Sequence, residues 1–274
     1  MKTILDEILD DVARELATAK LARPPSDLRA RIADAPPVRS LAAALGGGFG
    51  MIAEIKERSP SVGPMRPENV SAALDVYLEQ PLVRAISVLT NETHFGMSIQ
   101  RLASTRTRSS KPLLRKDFLI DEYQVREARA FGADAVLLMA NVLDSARLAG
   151  FYDLARELGM EVLFEVHVLE EIDRLPSGAK IVGINSRKFQ TDSGFVGQSG
   201  HSEKDLSLDY SAFELASKLP AHCLKIAESG LTPTNIQDVS QIFDAALVGT
   251  SLLRDPRGPA ATILEFEEAI SSLG

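Results

Sequence analysis

Between residues 134 and 185 the chain reads Asp134-Ala135-Val136-Leu137-Leu138-Met139, a helix-length amphipathic interval, Glu161-Val162-Leu163-Phe164-Glu165-Val166, a polar interval, and Lys180-Ile181-Val182-Gly183-Ile184-Asn185. Short β-rich apolar runs alternating with helical patterns are the mark of a parallel sheet built from βα units. Runs of the same kind occur to either side, at Met51–Lys56, Arg84–Thr90 and Pro112–Asp117 before it and at Leu224–Glu228 and Ala245–Val248 after it. Eight such runs, nearly all followed by an amphipathic segment, are what a closed barrel requires, whereas a doubly wound sheet usually has fewer. The expected fold is α/β, a (β/α)8 TIM barrel with an N-terminal helical extension.

That extension is residues 1–50. Ile4, Leu5, Ile8, Leu9, Val12, Ala13 and Leu16 recur at helical spacing and predict a first helix, which Pro24-Pro25 should end. Ser26-Asp27 is expected to cap a short second helix before Pro36-Pro37 interrupts it. So few residues cannot hold a core of their own, so the expectation is one domain over 1–274 with 1–50 packed on the barrel. A length of 274 residues suits this, since barrels of about 250 residues are routinely single domains.

Composition removes several function classes. A hydrophobic fraction of 45% and a charged fraction of 25% speak against disorder and fibrous structure. A net charge of −8, with no clustered Lys and Arg, argues against a nucleic-acid partner. Cys223 is the only cysteine, which rules out an internal disulfide and any CxxC metal or redox site, and predicts a buried thiol. Met1-Lys2-Thr3 leads into an acidic amphipathic run without the apolar core of a signal peptide, and no stretch approaches the roughly 18 apolar residues of a membrane span. The expectations are cytoplasmic residence, no membrane partner, a monomer or weak oligomer, and no second enzyme fused after the eighth βα unit. His94, His167, His201 and His222 show no pair at ligand spacing, so solvated or packing roles are expected and no metal site.

Two glycine-rich or polar stretches need a reading. Gly46-Gly47-Gly48-Phe49-Gly50 precedes a strand, whereas a dinucleotide-binding loop follows one and opens a helix, so a flexible lead-in is expected. Gln190–Asp205 is rich in Gly, Ser, Thr and Asp and follows the sixth strand as a long βα loop. It either covers a ligand or is a tolerated insertion.

Barrel chemistry is carried by the C-terminal ends of strands and the loops after them. Those ends are charged here: Ala53-Glu54-Ile55-Lys56, Leu114-Arg115-Lys116-Asp117, Phe164-Glu165-Val166-His167, Ile184-Asn185-Ser186-Arg187 and Ala227-Glu228-Ser229-Gly230. Alternation along a strand puts Glu54 and Lys56 on one face. Such residues can form a merely structural network, or a lysine among carboxylates can act as general acid and a carboxylate in a dry site as base. Gly230 after the seventh run and Gly249-Thr250-Ser251 after the eighth leave backbone N–H groups open to an anion, the usual phosphate grip of this fold, with Ser59-Pro60-Ser61 and Gly63 after the first run. Thr232-Pro233 reads as a helix N-cap with proline in the first turn. A phosphorylated small-molecule substrate is the expected partner.

With those residues in place, the chain resembles the indole-3-glycerol phosphate synthase family. The resemblance rests on Ala53-Glu54-Ile55-Lys56-Glu57-Arg58-Ser59-Pro60-Ser61, Ser87-Val88-Leu89-Thr90, Leu114-Arg115-Lys116-Asp117-Phe118, Gly183-Ile184-Asn185-Ser186-Arg187 and Ala227-Glu228-Ser229-Gly230, in order and spacing along nearly the whole chain. It implies ring closure, decarboxylation and dehydration of 1-(2-carboxyphenylamino)-1-deoxyribulose 5-phosphate without cofactor. It implies Lys116 as the general acid at the substrate carbonyl and Lys56 as the holder of the departing carboxylate, with the acid for dehydration left open between Lys56 and another group. Glu165 is implied as base or cation stabiliser, Glu54 and Asn185 as orienting groups, and Glu228 with Ser229 as a polar wall. Phosphate would rest on Ser59, Lys56, Arg187, Gly230, Gly249 and Thr250, and the aromatic ring on Phe95. Two departures stand out: Met97 in Phe95-Gly96-Met97-Ser98, where the family commonly has glycine, and the length of the 190–205 loop. The nearest rival is a phosphate-binding barrel isomerase such as phosphoribosylanthranilate isomerase, which the absence of a cysteine near the first run disfavours. From another class, a silent barrel acting as a scaffold would not need these ionisable residues.

Overall fold

In the computed structural model, residues 3–188 and 206–272 are described; the 190–205 loop and His201 lie outside them. Eight parallel strands close into a barrel: β1 (Gly50–Ile55), β2 (Val83–Leu89), β3 (Leu113–Lys116), β4 (Ala135–Met139), β5 (Glu161–Val166), β6 (Ile181–Asn185), β7 (Leu224–Glu228) and β8 (Ala245–Val248). Closure is made where β1 pairs with β8, Gly50 opposite Ala245 through Ala53 opposite Val248. Parallel strands covered on both faces can be apolar throughout, and β1, β4, β6 and β8 are buried along their whole length. Because successive side chains alternate, Ile52 and Glu54, Leu114 and Lys116, Leu163 and Glu165, and Ile226 and Glu228 point the same way. The first of each pair belongs to the apolar cluster that fills the barrel. The second therefore emerges at the mouth.

The extension clasps both ends of this barrel. Helix α1 (Ile4–Ala22) begins with a capping box between Thr3 and Asp6 and buries Leu5, Ile8 and Val12. Ile4, Leu9 and Leu16 pack only partly, and Ala13 is exposed. The polar side of α1 meets the segments that follow β2 and β3: Glu15 accepts from the Thr93 N–H at 3.1 Å and from Asn91 Nδ2 at 3.2 Å, Asp11 pairs with His94 at 2.9 Å, and Arg23 pairs at 2.7 Å with Glu127 of the helix Glu122–Ala130. Helix α2 (Pro25–Ala33) starts two residues earlier than capping by Ser26 requires. Its N-cap is Pro24, which provides no side-chain bond, because Pro25 already occupies the first turn.

At the opposite end, helix α3 (Leu41–Leu45) buries Leu41 and Leu45 in the cluster that also contains Ile52, Ala85 and Ala135. Its anchors are two carboxylates at the N-terminal ends of strands. Glu161 accepts from Ser40 Oγ at 2.9 Å and from the Ala42 N–H at 2.8 Å. Asp134, fully buried, accepts from the Arg39 N–H at 2.8 Å, Arg39 Nε at 2.9 Å, Arg106 Nη1 at 2.7 Å and the Leu113 N–H at 2.8 Å. Among the described residues no helix is long and apolar enough to cross a membrane.

Asp134→Ala strands two guanidinium groups and a strand N–H at once. It should lower the unfolding free energy by about 3–5 kcal/mol in urea titrations, the usual cost of breaking a buried pair on one side; an unchanged midpoint would count against this clasp.

Candidate active site

At the C-terminal ends of the strands lies a cavity of about 330 Å³, a size suited to a small ligand. Its lining includes Glu54, Lys56, Ser59, Phe95, Lys116, Glu165, Asn185, Arg187, Glu228, Ser229, Gly230, Gly249 and Thr250. These positions, expected from the sequence at the substrate, border one space, whereas Gly63, expected beside the phosphate, is not among the lining residues. Lys116 and its two neighbours part company. Arg115 and Asp117 pair with each other at 3.0 Å, and Arg115 also binds Glu127 at 3.1 Å and Thr90 Oγ1 at 2.9 Å. For that pair the structural-network reading holds, although Asp117 also borders the cavity.

The floor is a compact group of charges. Lys116 Nζ lies 3.1 Å from Glu165 Oε2 and 3.5 Å from Glu228 Oε2, and Lys56 Nζ lies 2.6 Å from Glu54 Oε1. Burial works against the Lys116 ammonium, but Glu165, Glu228 and Glu54 outweigh it and hold its pKa well above the ordinary lysine value. Burial likewise works to raise Glu165, yet Lys116 and His167 prevail and bring its carboxyl to about 2. Glu228 goes the other way: burial first, then the negative charge of Glu165, push its pKa well above the carboxylate range. Neither of its oxygens has a hydrogen-bond partner among the described residues, so an ionised carboxylate there would be costly. The Lys116 ammonium thus stands between two carboxyl groups driven in opposite directions, Glu165 toward its ionised form and Glu228 toward its protonated one.

Two glycines make room for these acids. A methyl group on Gly183 of β6 would run into the Glu228 carboxyl, with its carbon 2.9 Å away, and one on Gly249 would sit 2.5 Å from Glu54 Oε1. Gly183 lies inside a strand, where glycine marks such a close approach, and Gly249 directly follows one.

The loop after β7 is held in a rare conformation. Ser229 has φ 70°, alone among the described non-glycine residues, and Gly230 follows with φ 68°. The turn is fixed by Ser186 Oγ donating to the Ser229 carbonyl at 3.0 Å and by Tyr210 Oη and Asn235 Nδ2 donating to the Gly230 carbonyl at 2.7 and 3.0 Å. Strain of this kind collects at functional sites. Thr232-Pro233 does not cap the next helix, Ile236–Ser240; Asn235 occupies that position and turns its side chain back to the Thr232 N–H at 2.9 Å, tying the helix start to the loop. Asn185 Oδ1 accepts the Arg187 N–H at 2.9 Å, and Arg187 Nη1 donates to the Leu206 carbonyl at 2.7 Å. Leu206, Leu208 and Tyr210, which return beside β6, line the cavity without having been legible as site residues, since no motif marks them. Leu89, Leu137, Met139 and Leu247 give the cavity an apolar side that strand parity alone could have revealed. Phe95 stands against Phe118, ring centres 6.2 Å apart.

A family model described as indole-3-glycerol phosphate synthase matches residues 5–263 of the chain. A protein of Saccharopolyspora erythraea bearing that name is 40% identical over 256 residues, spanning 92% of this chain and 90% of its own length. Another so named, from Mycobacterium ulcerans, is 39% identical over 269 residues, with 96% and 94% covered. Among solved structures, 3-hexulose-6-phosphate synthase from Salmonella typhimurium matches with a TM-score of 0.58 at 13% identity, over 82% of this chain and 100% of that one, a likeness of fold alone.

The packing of Gly183 against Glu228 is testable by a double-mutant cycle. Gly183→Ala should cost about 1–3 kcal/mol of stability by overpacking. Glu228→Ala in the same chain should return part of it, with a coupling of about 0.5–3 kcal/mol; strictly additive losses would show that the two residues do not compete for space.

Proposed function

The chain belongs to the indole-3-glycerol phosphate synthase family, and from that premise we propose how its barrel mouth divides the work. The reaction is that of a carboxy-lyase of tryptophan biosynthesis: 1-(2-carboxyphenylamino)-1-deoxyribulose 5-phosphate is closed to an indole with loss of carbon dioxide and water. The observation that carries the residue assignment is the cavity itself, where two lysines and three glutamates share one floor with the glycine loops after β7 and β8.

Phosphate is the anchor. It sits on Gly230, Gly249 and Thr250, where the strained turn and the first N–H groups of helix Thr250–Arg254 lack intrahelical partners, with Ser59, Lys56 and Arg187 alongside. The anilino ring lies on the apolar side against Phe95. This stretches the substrate across the floor and brings its ketone to Lys116.

Ring closure begins when the ring carbon bearing the carboxylate attacks the ketone carbon. The oxygen receiving the electron pair takes a proton from Lys116, which its three glutamates keep fully protonated at neutral pH. A raised pKa is no obstacle, because the alkoxide forming in the transition state is a stronger base still. Lys56, oriented by Glu54, holds the carboxylate until carbon dioxide leaves and its bonding electrons restore the aromatic ring. Dehydration then needs an acid for the departing hydroxyl, supplied by Lys56 or by the neutral Glu228 carboxyl. Glu165 is the base that takes the proton from the adjacent carbon. Asn185, its amide plane set by the Arg187 N–H, directs the sugar hydroxyls, and Ser229 completes the wall with Glu228. No step calls for an electron sink or hydride carrier, so side chains suffice. The chain acts as one barrel-centred domain, a cytoplasmic monomer or weak oligomer whose partner is the phosphorylated substrate.

Lys116→Met should lower kcat by about 10²–10⁴-fold, the contribution of a positioned general acid, with KM changed little. Indole fluorescence reports turnover directly, since the chain contains no tryptophan to mask it; near-normal kcat would remove Lys116 from this role. Arg187→Ala should instead act mainly on KM, by about 10–100-fold for one lost charge-assisted contact of roughly 1.5–3 kcal/mol. A selective fall in kcat would place Arg187 at the reacting atoms and not at the phosphate.

A further inference from the structure

The chain of charges continues behind the cavity wall into a residue the mechanism leaves unused. His167 lies two positions beyond Glu165 and faces the same side. Its Nε2 is 3.5 Å from Glu165 Oε1 and its Nδ1 is 3.6 Å from Glu171 Oε2. Glu171 is 1% exposed and is pinned by accepting the backbone N–H of His167 at 2.6 Å. Neither ring nitrogen has a hydrogen-bond partner at normal length among the described residues, and each lies just beyond that length from a carboxylate oxygen. The ionisable groups facing the ring are Glu165 from its own strand, Glu171 from helix Leu169–Ile172 and, opposing them, Lys116 from β3.

A neutral imidazole carries one N–H and could serve only one of these carboxylates. It would also leave the buried carboxylates of Glu165 and Glu171 with no positive charge between them, an arrangement that burial makes costly. An imidazolium presents a donor to each side, Nε2–H toward Glu165 and Nδ1–H toward Glu171.

We propose that His167 is a positioning residue for the ring-closing reaction, an imidazolium held between Glu165 and Glu171 that keeps Glu165 ionised and aimed at the substrate. The role rests on Glu165 being the base. The sign of its effect on pH dependence follows from charge: loss of the imidazolium lets the Glu165 carboxyl hold its proton to higher pH, so the acid limb of kcat/KM moves upward. The positive charge itself is present at low pH and is lost as pH rises through the histidine titration.

Two measurements on the full chain test this. Histidine ring NMR across pH, with His167 assigned by sequential correlation, should show it remaining protonated to a higher pH than the free-histidine value of roughly 6.5 allows. In Glu171→Gln the midpoint should drop. A titration at or below the free value, or one indifferent to Glu171→Gln, overturns the proposal. In steady-state assays, His167→Gln should lower kcat about tenfold and move the acid limb up by about one unit, with KM within about threefold. A profile superimposable on that of the unsubstituted enzyme, from protein with the same unfolding midpoint, also overturns it. Should His167→Gln fail to fold, the NMR titration of the unsubstituted chain and of Glu171→Gln decides alone. Glu165→Gln separates the two ideas: full turnover in that variant removes Glu165 as base, while the NMR reading of the His167 charge stands on its own.

Discussion

Everything at the mouth of this barrel is organised around one half-buried ammonium. Lys116 lies within 3.1 Å of Glu165 and 3.5 Å of Glu228, and a cation in that position must either lose its proton or be surrounded by carboxylates. It is surrounded, and the surplus of carboxylates then has to be settled in turn. Glu228 is driven toward its protonated form by burial and by Glu165, Glu54 pairs with Lys56, and Glu165 is held toward its ionised form by Lys116 with His167 beside it. The result is a set of acids and bases whose protonation states are dictated by each other. Separating pKa values within such a cluster is how one site runs both acid and base chemistry near neutral pH.

The barrel supplies the two conditions such a cluster needs. Strand parity carries Glu54, Lys116, Glu165 and Glu228 into one space from four separate stretches of sequence, because each lies two residues beyond a core side chain that points inward. Glycine supplies the rest. Gly183 and Gly249 leave the volume that the Glu228 and Glu54 carboxylates fill, so the absence of side chains at those points is as much part of the site as the acids. The extension clasps the scaffold from both ends, with α1 against the loops that bear Phe95 and α3 on Asp134 and Glu161 at the strand starts.

Much of this was legible in the sequence because it follows from period and composition. β5, β7 and β8 begin and end where the apolar runs do, and the other strands differ by a residue at one or both ends. What escaped depends on side chains meeting at a distance. Ser26-Asp27 looked like a cap, but Pro25 had already begun the helix. Thr232 looked like a cap, but Asn235 turns back to it to brace the Ser229–Gly230 turn. His167 reads only as one of four scattered histidines in solvated or packing roles, because its neighbour Glu171 belongs to no motif and only the turn after β5 brings the two together. Leu206, Leu208 and Tyr210 join the cavity through a return of the chain beside β6 that no periodicity announces.

The central claim is that the Lys116 ammonium delivers its proton to the oxygen of the substrate ketone. The most direct measurement is a crystal structure with a substrate analogue whose ketone has been reduced to the alcohol, which binds without reacting. The account predicts that alcohol oxygen within hydrogen-bond reach of Lys116 Nζ, about 2.6–3.2 Å, with the phosphate on the Gly230 and Gly249 loops. An analogue seated with its alcohol oxygen out of reach of Lys116, or with its phosphate away from those loops, would contradict it.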